Sequence, residues 1–273
     1  MAHPQVAAFA RLANGAQLPQ RAIFGQASKL SRTMHDVRYN ETHDEMYVVN
    51  PFASAILTFR GGANGQEGPI RVIQGPNAQI GGSRLDVDPI HNEIFLPAGR
   101  RILVYPREAN GDVAPLRIIE GPDTQLRTAQ SIAVDPINNL LVIGTNRTDT
   151  DTENGELIVF NRTDNGNVKP RAVIRGPRSE IVRINQVQVY PPRKLIIAAM
   201  PGRYEMMEPE VAFLGVWSYD DNGDVAPRIK LPIGPRTTLK KPFGVALNPK
   251  NKEVIISDMR LNGVLTFSMP EIF

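Results

Sequence analysis

The 273-residue chain contains no cysteine, which excludes disulfides and thiolate chemistry and leaves its redox compartment undecided. It has no run of about 18 apolar residues that would predict a membrane-spanning helix. The N-terminal residues lack a basic start followed by a long apolar stretch, so no signal peptide is visible. The localisation therefore stays open between a cytoplasmic protein and a processed exported one. No segment shows a helical period over about 11 residues, which favours an all-β fold.

An Asn-Gly phrase recurs five times, at intervals of about fifty residues, and organises the whole chain. Each phrase is followed by a proline at a constant offset, then by an arginine and a glycine. Asn-Gly supplies the positive φ angles that tight turns need. The repeated asparagines are Asn14, Asn64, Asn110, Asn165 and Asn222.

Each repeat has the same order of predicted strands. An alternating strand such as AILTFR precedes the Asn-Gly, and a short strand such as RVIQ follows it. After a loop come a third strand such as SIAVDP, a tight turn and a fourth strand such as NLLVIG. This pattern predicts a single β-propeller of four-stranded antiparallel blades, five-bladed, with six blades as the alternative. The short strand is expected to be the innermost of its blade. The repeats run over about 5–54, 55–100, 101–155, 156–213 and 214–273.

The segments RLDVDPIHNEIFLPA and SIAVDPINNLLVIGT, each followed by a strand like ILVYPR, resemble blades of bacterial NHL-repeat β-propellers. They are also similar to the related lactonase-like propellers. The resemblance covers nearly the whole chain and implies the fold. It leaves the function open, because this architecture hosts binding modules, scaffolds, hydrolases and lyases.

Catalytic candidates are few. His35 and Asp36 stand together at the start of a strand near the predicted channel mouth, where they could act as a base and its orienter, and Arg84 occupies the matching place in the next repeat. A polar channel lining is the alternative interpretation. Farther along the same strands, Arg38 and Asp86 are expected to pair, because a charge between blades needs a partner.

The lactonase-like resemblance implies a divalent metal, such as calcium, held by carboxylate and amide oxygens at the channel mouth. Asp36 would be joined there by Asn185 and Gln186, whereas Arg84 would oppose a cation. We therefore expect no catalytic residue, no metal ligand and no cofactor. A metal-dependent lactonase-like hydrolase or lyase remains the alternative.

Loop charges separate by face. Sorting them by the propeller face on which each loop emerges predicts one basic and one acidic face, with Arg100 and Arg101 on the basic side and Asp220 on the acidic side. The alternative is a solvated rim whose charges only confer solubility. The insertion at 201–213 adds apolar side chains suited to a contact surface. The predicted binding residues are Arg32, Arg127, Arg183, Lys240, Lys241, Tyr204, Met206 and Met207.

These features favour a non-enzymatic scaffold for protein interaction or self-assembly. Opposite charges on opposite faces would let copies join head to tail as a homo-oligomer or filament. Aromatic residues do not alternate with the basic ones, which argues against nucleic acid as the partner.

Overall fold

A computed structural model describes residues 4–32, 34, 36–147, 154–203 and 211–273. Its contacts divide the chain into two compact units, residues 1–96 with 104–116 and residues 97–103 with 117–273. Unit 1 and unit 2, as they are called below, consist mainly of short antiparallel strands.

Unit 1 holds a hairpin and a four-stranded sheet. The hairpin pairs the first two strands, and the sheet has the order β3-β4-β5-β6. The strands that lie wholly in this unit are β1 (Gln5–Ala8), β2 (Arg21–Phe24), β3 (Val37–Asn40), β4 (Glu45–Asn50), β5 (Ala55–Arg60), β6 (Arg71–Gln74) and β7 (Asp86–Asp88). Strands β8 (Glu93–Ala98) and β9 (Arg101–Pro106) run across the unit boundary.

Unit 2 continues the series. Its strands are β10 (Arg117–Glu120), β11 (Thr128–Asp135), β12 (Leu140–Arg147), β13 (Asn154–Asn161), β14 (Ala172–Ile174), β15 (Gln186–Tyr190), β16 (Leu195–Met200), β17 (Phe213–Ser218), β18 (Ile229–Pro232), β19 (Pro242–Asn248), β20 (Glu253–Asp258) and β21 (Gly263–Ser268). The sheets that lie wholly in this unit have the orders β11-β12-β13-β14, β15-β16-β17-β18 and β19-β20-β21, and strands β7 to β10 form a further sheet in the order β10-β9-β8-β7. Single turns of 3-10 helix occur at Gln26–Ser28, Pro122–Thr124, Pro191–Arg193 and Pro249–Asn251.

The apolar cores lie between neighbouring sheets. Apolar side chains from both faces of the middle strands fill these cores, because the strands are rich in Val, Ile, Leu and aromatic residues. Trp217 is fully buried in the cluster shared by the β11–β14 and β15–β18 sheets. The chain end joins the next cluster, where Ile272 is fully buried and Phe273 packs edge-on against Tyr190.

The first strands of consecutive sheets lie side by side. In unit 1, β3 contacts β7; in unit 2, β11 contacts β15 and β15 contacts β19. The strand after each Asn-Gly lies at the opposite edge of its sheet, as β6 does beside β5. The expectation that this strand is innermost is therefore wrong, because the Asn-Gly loop closes a hairpin that keeps it next to the preceding strand. The all-β class and the five-bladed β-propeller are confirmed, and the fifth blade has three assigned strands.

The Asn-Gly phrase forms a joint between consecutive blades, which explains its repetition. In unit 2, Asn222 Oδ1 accepts a hydrogen bond from Val173 N of the preceding blade at 2.9 Å. Gly223 N donates to Val173 O at 2.8 Å, and Gly223 O accepts from Arg175 N at 3.1 Å. The same three bonds recur at the other joints of the series, which are made by Asn64-Gly65, Asn110-Gly111 and Asn165-Gly166.

We expect Asn222→Ala to lower the free energy of unfolding by about 1 kcal/mol, because it removes one neutral hydrogen bond and leaves the two backbone bonds of the joint. Urea denaturation followed by circular dichroism measures the change. Lys169→Ala, at an exposed position of the same unit, is the control and should change it by less than about 0.5 kcal/mol. Equal effects of the two variants would contradict a role for the asparagine in the joint.

Candidate functional site

The loops that lead into the inner strands of unit 2 carry the predicted basic residues. Arg127 is half-buried and Lys240 is exposed. Arg183 and Lys241 are only 7% exposed, and the Arg183 guanidinium lies 5.8 Å from the Phe243 ring centroid. Burial, and then the charge of Arg183, lowers the pKa of Lys241. Lys240 is therefore exposed and Arg127 partly so, whereas the other two lie beneath the surface.

The amide side chains proposed as metal ligands in this region link neighbouring inner strands. Asn185 Nδ2 donates to Phe243 O at 2.7 Å, and Gln186 Oε1 accepts from Val245 N at 2.6 Å. One blade earlier, Ser131 Oγ accepts from Val187 N at 2.7 Å. The Gln186 carbonyl oxygen is thus used to hold one inner strand against the next.

In unit 1, Asp36 belongs to an internal charge cluster. Its Oδ2 lies 3.5 Å from Arg38 Nε, and Arg38 Nε also lies 3.5 Å from Asp86 Oδ1, which confirms the predicted Arg38–Asp86 pair. Burial raises the pKa of the Asp36 carboxyl, although the charges of Arg38 and Arg84 act in the opposite direction. Asp36 and Arg84 are both buried, so neither presents an open catalytic group.

Five predicted site residues remain, and the structure describes one of them. His35, Tyr204, Met206 and Met207 lie outside the described residues. Arg32 is exposed in unit 1. Within the ranges that the structure describes, no group of three or more His, Asp or Glu side chains could hold a metal ion.

An arginine pocket opens in unit 2 with a volume of about 950 Å³. Arg100 lies in the turn that joins β8 to β9, and Arg101 is the first residue of β9. Arg127 lies in the loop before β11, and Arg175 directly follows β14. The side chains that form it are those of Arg100, Arg101, Glu120, Pro122, Gln125, Leu126, Arg127, Glu156 and Arg175, together with Gly121.

An ion pair between a buried glutamate and a half-exposed arginine lies in the wall of the arginine pocket. Glu156 is 2% exposed at its side chain, and its Oε1 lies 3.2 Å from Arg175 Nη1. The Arg175 side chain is 48% exposed and is part of the pocket lining, so it is held by Glu156 at one nitrogen and remains accessible. Sequence reasoning identified three of the four arginines but missed Arg175 and Glu156, because it placed the strand before Arg175 on the inner side of the blade.

The sequence matches no protein-family model and no curated protein. Solved structures do resemble the fold. A chain in the crystal structure of a mitotic checkpoint complex is 13% identical with a TM-score of 0.59, over 92% of this chain and 65% of that one. The hydrazine synthase of Kuenenia stuttgartiensis is 15% identical with a TM-score of 0.61, over 86% of this chain and 64% of that one. At such low identity the likeness supports the fold alone, and the NHL-repeat assignment stays a prediction.

No helix in the described part of the chain is both long enough and apolar enough to cross a membrane.

Proposed function

We propose that the protein is a non-enzymatic interaction scaffold of the NHL-repeat type that contacts an acidic protein surface through its basic loops. The observation that carries the proposal is the placement of basic residues before three consecutive inner strands of unit 2. Of these, Lys240 is exposed and Arg127 is half-buried. Cationic side chains grouped on one side of a rigid scaffold speed the encounter with an acidic partner and orient it.

The joints between blades support this role, since they fix the loops that carry the charges. The joint at Asn222 uses backbone groups and the asparagine side chain, and Asp224 Oδ1 also accepts from Arg178 N and Ser179 N of the loop that leads to Arg183. One similar propeller belongs to the structure of a mitotic checkpoint complex, a setting that fits a scaffold.

We further propose that the acidic partner is a second copy of this chain. The opposite loops of unit 2 carry Asp164, Asp220 and Asp221, and Asp220 is exposed. Asp221 is already paired with Arg228 at 2.7 Å, and Asp220 beside it is an exposed carboxylate. A basic face against an acidic face is a heterologous contact, which builds head-to-tail oligomers or filaments.

A salt series tests the self-assembly. At about 20 mM salt, where the Debye length is roughly 20 Å, light scattering should show a mass above that of the monomer, and about 0.5 M salt should return it to 30.1 kDa. Arg127→Glu combined with Lys240→Glu should keep the protein monomeric at low salt, whereas Lys169→Glu, at an exposed position in the loop that carries Asp164, should not. A monomer under both conditions would remove self-assembly from the proposal.

The wider interaction role is tested with two polyanion probes. Polyglutamate should bind the wild-type protein, and the Arg127→Glu and Lys240→Glu changes together should weaken binding at least tenfold. Tighter binding of a single-stranded oligonucleotide than of polyglutamate would favour nucleic acid and overturn the proposal.

The proposal includes no cofactor. The alternative, a lactonase-like hydrolase or lyase with a divalent metal such as calcium, depends on Asp36, which lies near two guanidinium groups that oppose a cation. Elemental analysis of the purified protein decides between the two, because a stoichiometric divalent ion would favour the enzyme.

A further inference from the structure

The arginine pocket of unit 2 differs from the exposed basic loops in being a shaped concavity. We propose that it is a binding site for a small-molecule phosphate monoester. Among the described residues, four arginines and two glutamates line it, so basic groups outnumber acidic ones in this part of the lining. A phosphate monoester carries about −1.5 to −2 near neutral pH and is attracted to such a lining.

The arrangement of the arginines suits a phosphoryl group. Arg100 and Arg101 stand at the start of β9, and Arg175 follows β14 in another sheet, so the cavity draws its arginines from two sheets. A guanidinium donates in a planar fork that matches two oxygens of a phosphate, and it remains charged throughout the accessible pH range. A monoester has three terminal oxygens and can bind several forks at once, whereas a single carboxylate has two oxygens and one charge.

Glu156 orients one arginine of the pocket before a ligand binds. Its buried carboxylate holds Arg175 by one edge at 3.2 Å, so this arginine is oriented before a ligand arrives. Orienting a cation in advance reduces the entropy lost on binding. Glu156→Gln should therefore weaken phosphate binding even though it removes a negative charge from the site, an effect opposite in sign to simple electrostatics.

Size and lining restrict the rest of the ligand. A volume of about 950 Å³ lies at the upper end of the range for small-molecule sites, roughly 300–1,000 Å³. Glu120 and Gln125 are exposed at the rim and offer acceptors and a donor to hydroxyl groups, so the alcohol part of the ester is expected to be polar.

Calorimetric titration with glycerol 3-phosphate and glucose 6-phosphate tests the inference. Saturable binding to the wild-type protein is expected, and Arg100→Ala and Arg175→Ala should each weaken it about 10- to 100-fold. Arg236→Ala removes an exposed arginine outside the pocket and should change affinity less than twofold. Circular dichroism of each variant confirms that the fold is intact. The self-assembly test leaves Arg100 and Arg175 unchanged and this titration leaves Arg127 and Lys240 unchanged, so failure of one result is distinguishable from failure of the other.

Four outcomes would overturn the inference. The first is no saturable binding of either ester at millimolar concentration. The second is equal weakening by Arg236→Ala, which would indicate a diffuse charge effect. The third is binding of succinate as tight as that of the esters, which would remove the preference for phosphate. The fourth is binding of a phosphoserine peptide with neither ester bound, which would assign the pocket to a protein ligand.

Discussion

Replacing Glu45 by alanine is expected to lower the free energy of unfolding by about 3–5 kcal/mol, which is the cost of breaking a buried ion pair from one side. Glu45 accepts from Arg107 Nη1 at 2.8 Å and from Arg71 Nη2 at 2.5 Å in unit 1. Tyr47 donates its hydroxyl to the same carboxylate. Without the carboxylate, two guanidinium groups, 9% and 18% exposed, would be left beside each other.

The same cluster should make unit 1 sensitive to acid. Burial alone would raise the pKa of Glu45, but hydrogen bonds from Tyr47, Arg71 and Arg107 outweigh it and bring the pKa below its ordinary value of 4.5. A lowered pKa in the folded state means that the stabilisation is complete above pH 4.5 and is lost as the pH falls through the folded value. Glu45→Gln should flatten this part of the stability curve.

Urea denaturation measures the loss at neutral pH, with Glu67→Ala as the control. Glu67 pairs with the exposed Arg60 at 2.8 Å, and surface pairs of this kind contribute about 0–1 kcal/mol. A loss below about 1 kcal/mol for Glu45→Ala would show that water reaches the cluster and replaces the carboxylate.

Gly121→Ala is expected to lower the free energy of unfolding by about 3 kcal/mol, from backbone strain and steric overlap together. Gly121 has φ 124° and ψ 168°, a conformation that side chains rarely adopt. A Cβ there would lie 2.4 Å from Asn167 Oδ1. Asn167 cannot move aside freely, because it accepts from Asp123 N at 2.8 Å and donates to Asp123 Oδ2 at 3.0 Å.

A double-mutant cycle separates the two causes. Asn167→Gly removes the overlapping side chain, so the double variant should lose at least about 0.5 kcal/mol less than the sum of the single variants. Gly166→Ala is the matched control, since its φ is 70° and nothing lies within 4 Å of the added Cβ; it should cost about 1 kcal/mol. Additivity in the cycle would mean that strain alone accounts for the loss.

The repeat in the sequence was sufficient to predict the propeller, because Asn-Gly and period-two strands are local signals. The position of the short strand was not predictable in the same way. Which sheet edge faces inward is decided by contacts such as β11 with β15, and these join residues more than fifty positions apart.

The candidate site shows the same difference between local sequence signals and contacts that only the fold creates. Arg127 stood out because it precedes an inner strand, and Arg38 and Asp86 because they occupy one repeat column. Arg175 and Glu156 meet because β13 pairs with β14, Leu157 opposite Ile174. Burial of the glutamate is what lets it orient the arginine. Arg183 and Lys241 were likewise predicted as surface charges from the sequence, but the fold buries both.

Because each joint links a blade to the one before it, local unfolding within a unit should spread in one direction. A repeat's Asn-Gly loop covers the outer strand of the repeat before it, so disruption of the loop at Asn222 uncovers β14, and disruption at Asn165 uncovers β10. Fraying should therefore pass from later repeats to earlier ones. Protease cleavage of the loop that follows Ser218 should accelerate hydrogen exchange at Val173 N and Arg175 N, which donate to that loop. The amides of β17, which precede the cut, should keep their protection because β17 remains paired with β16.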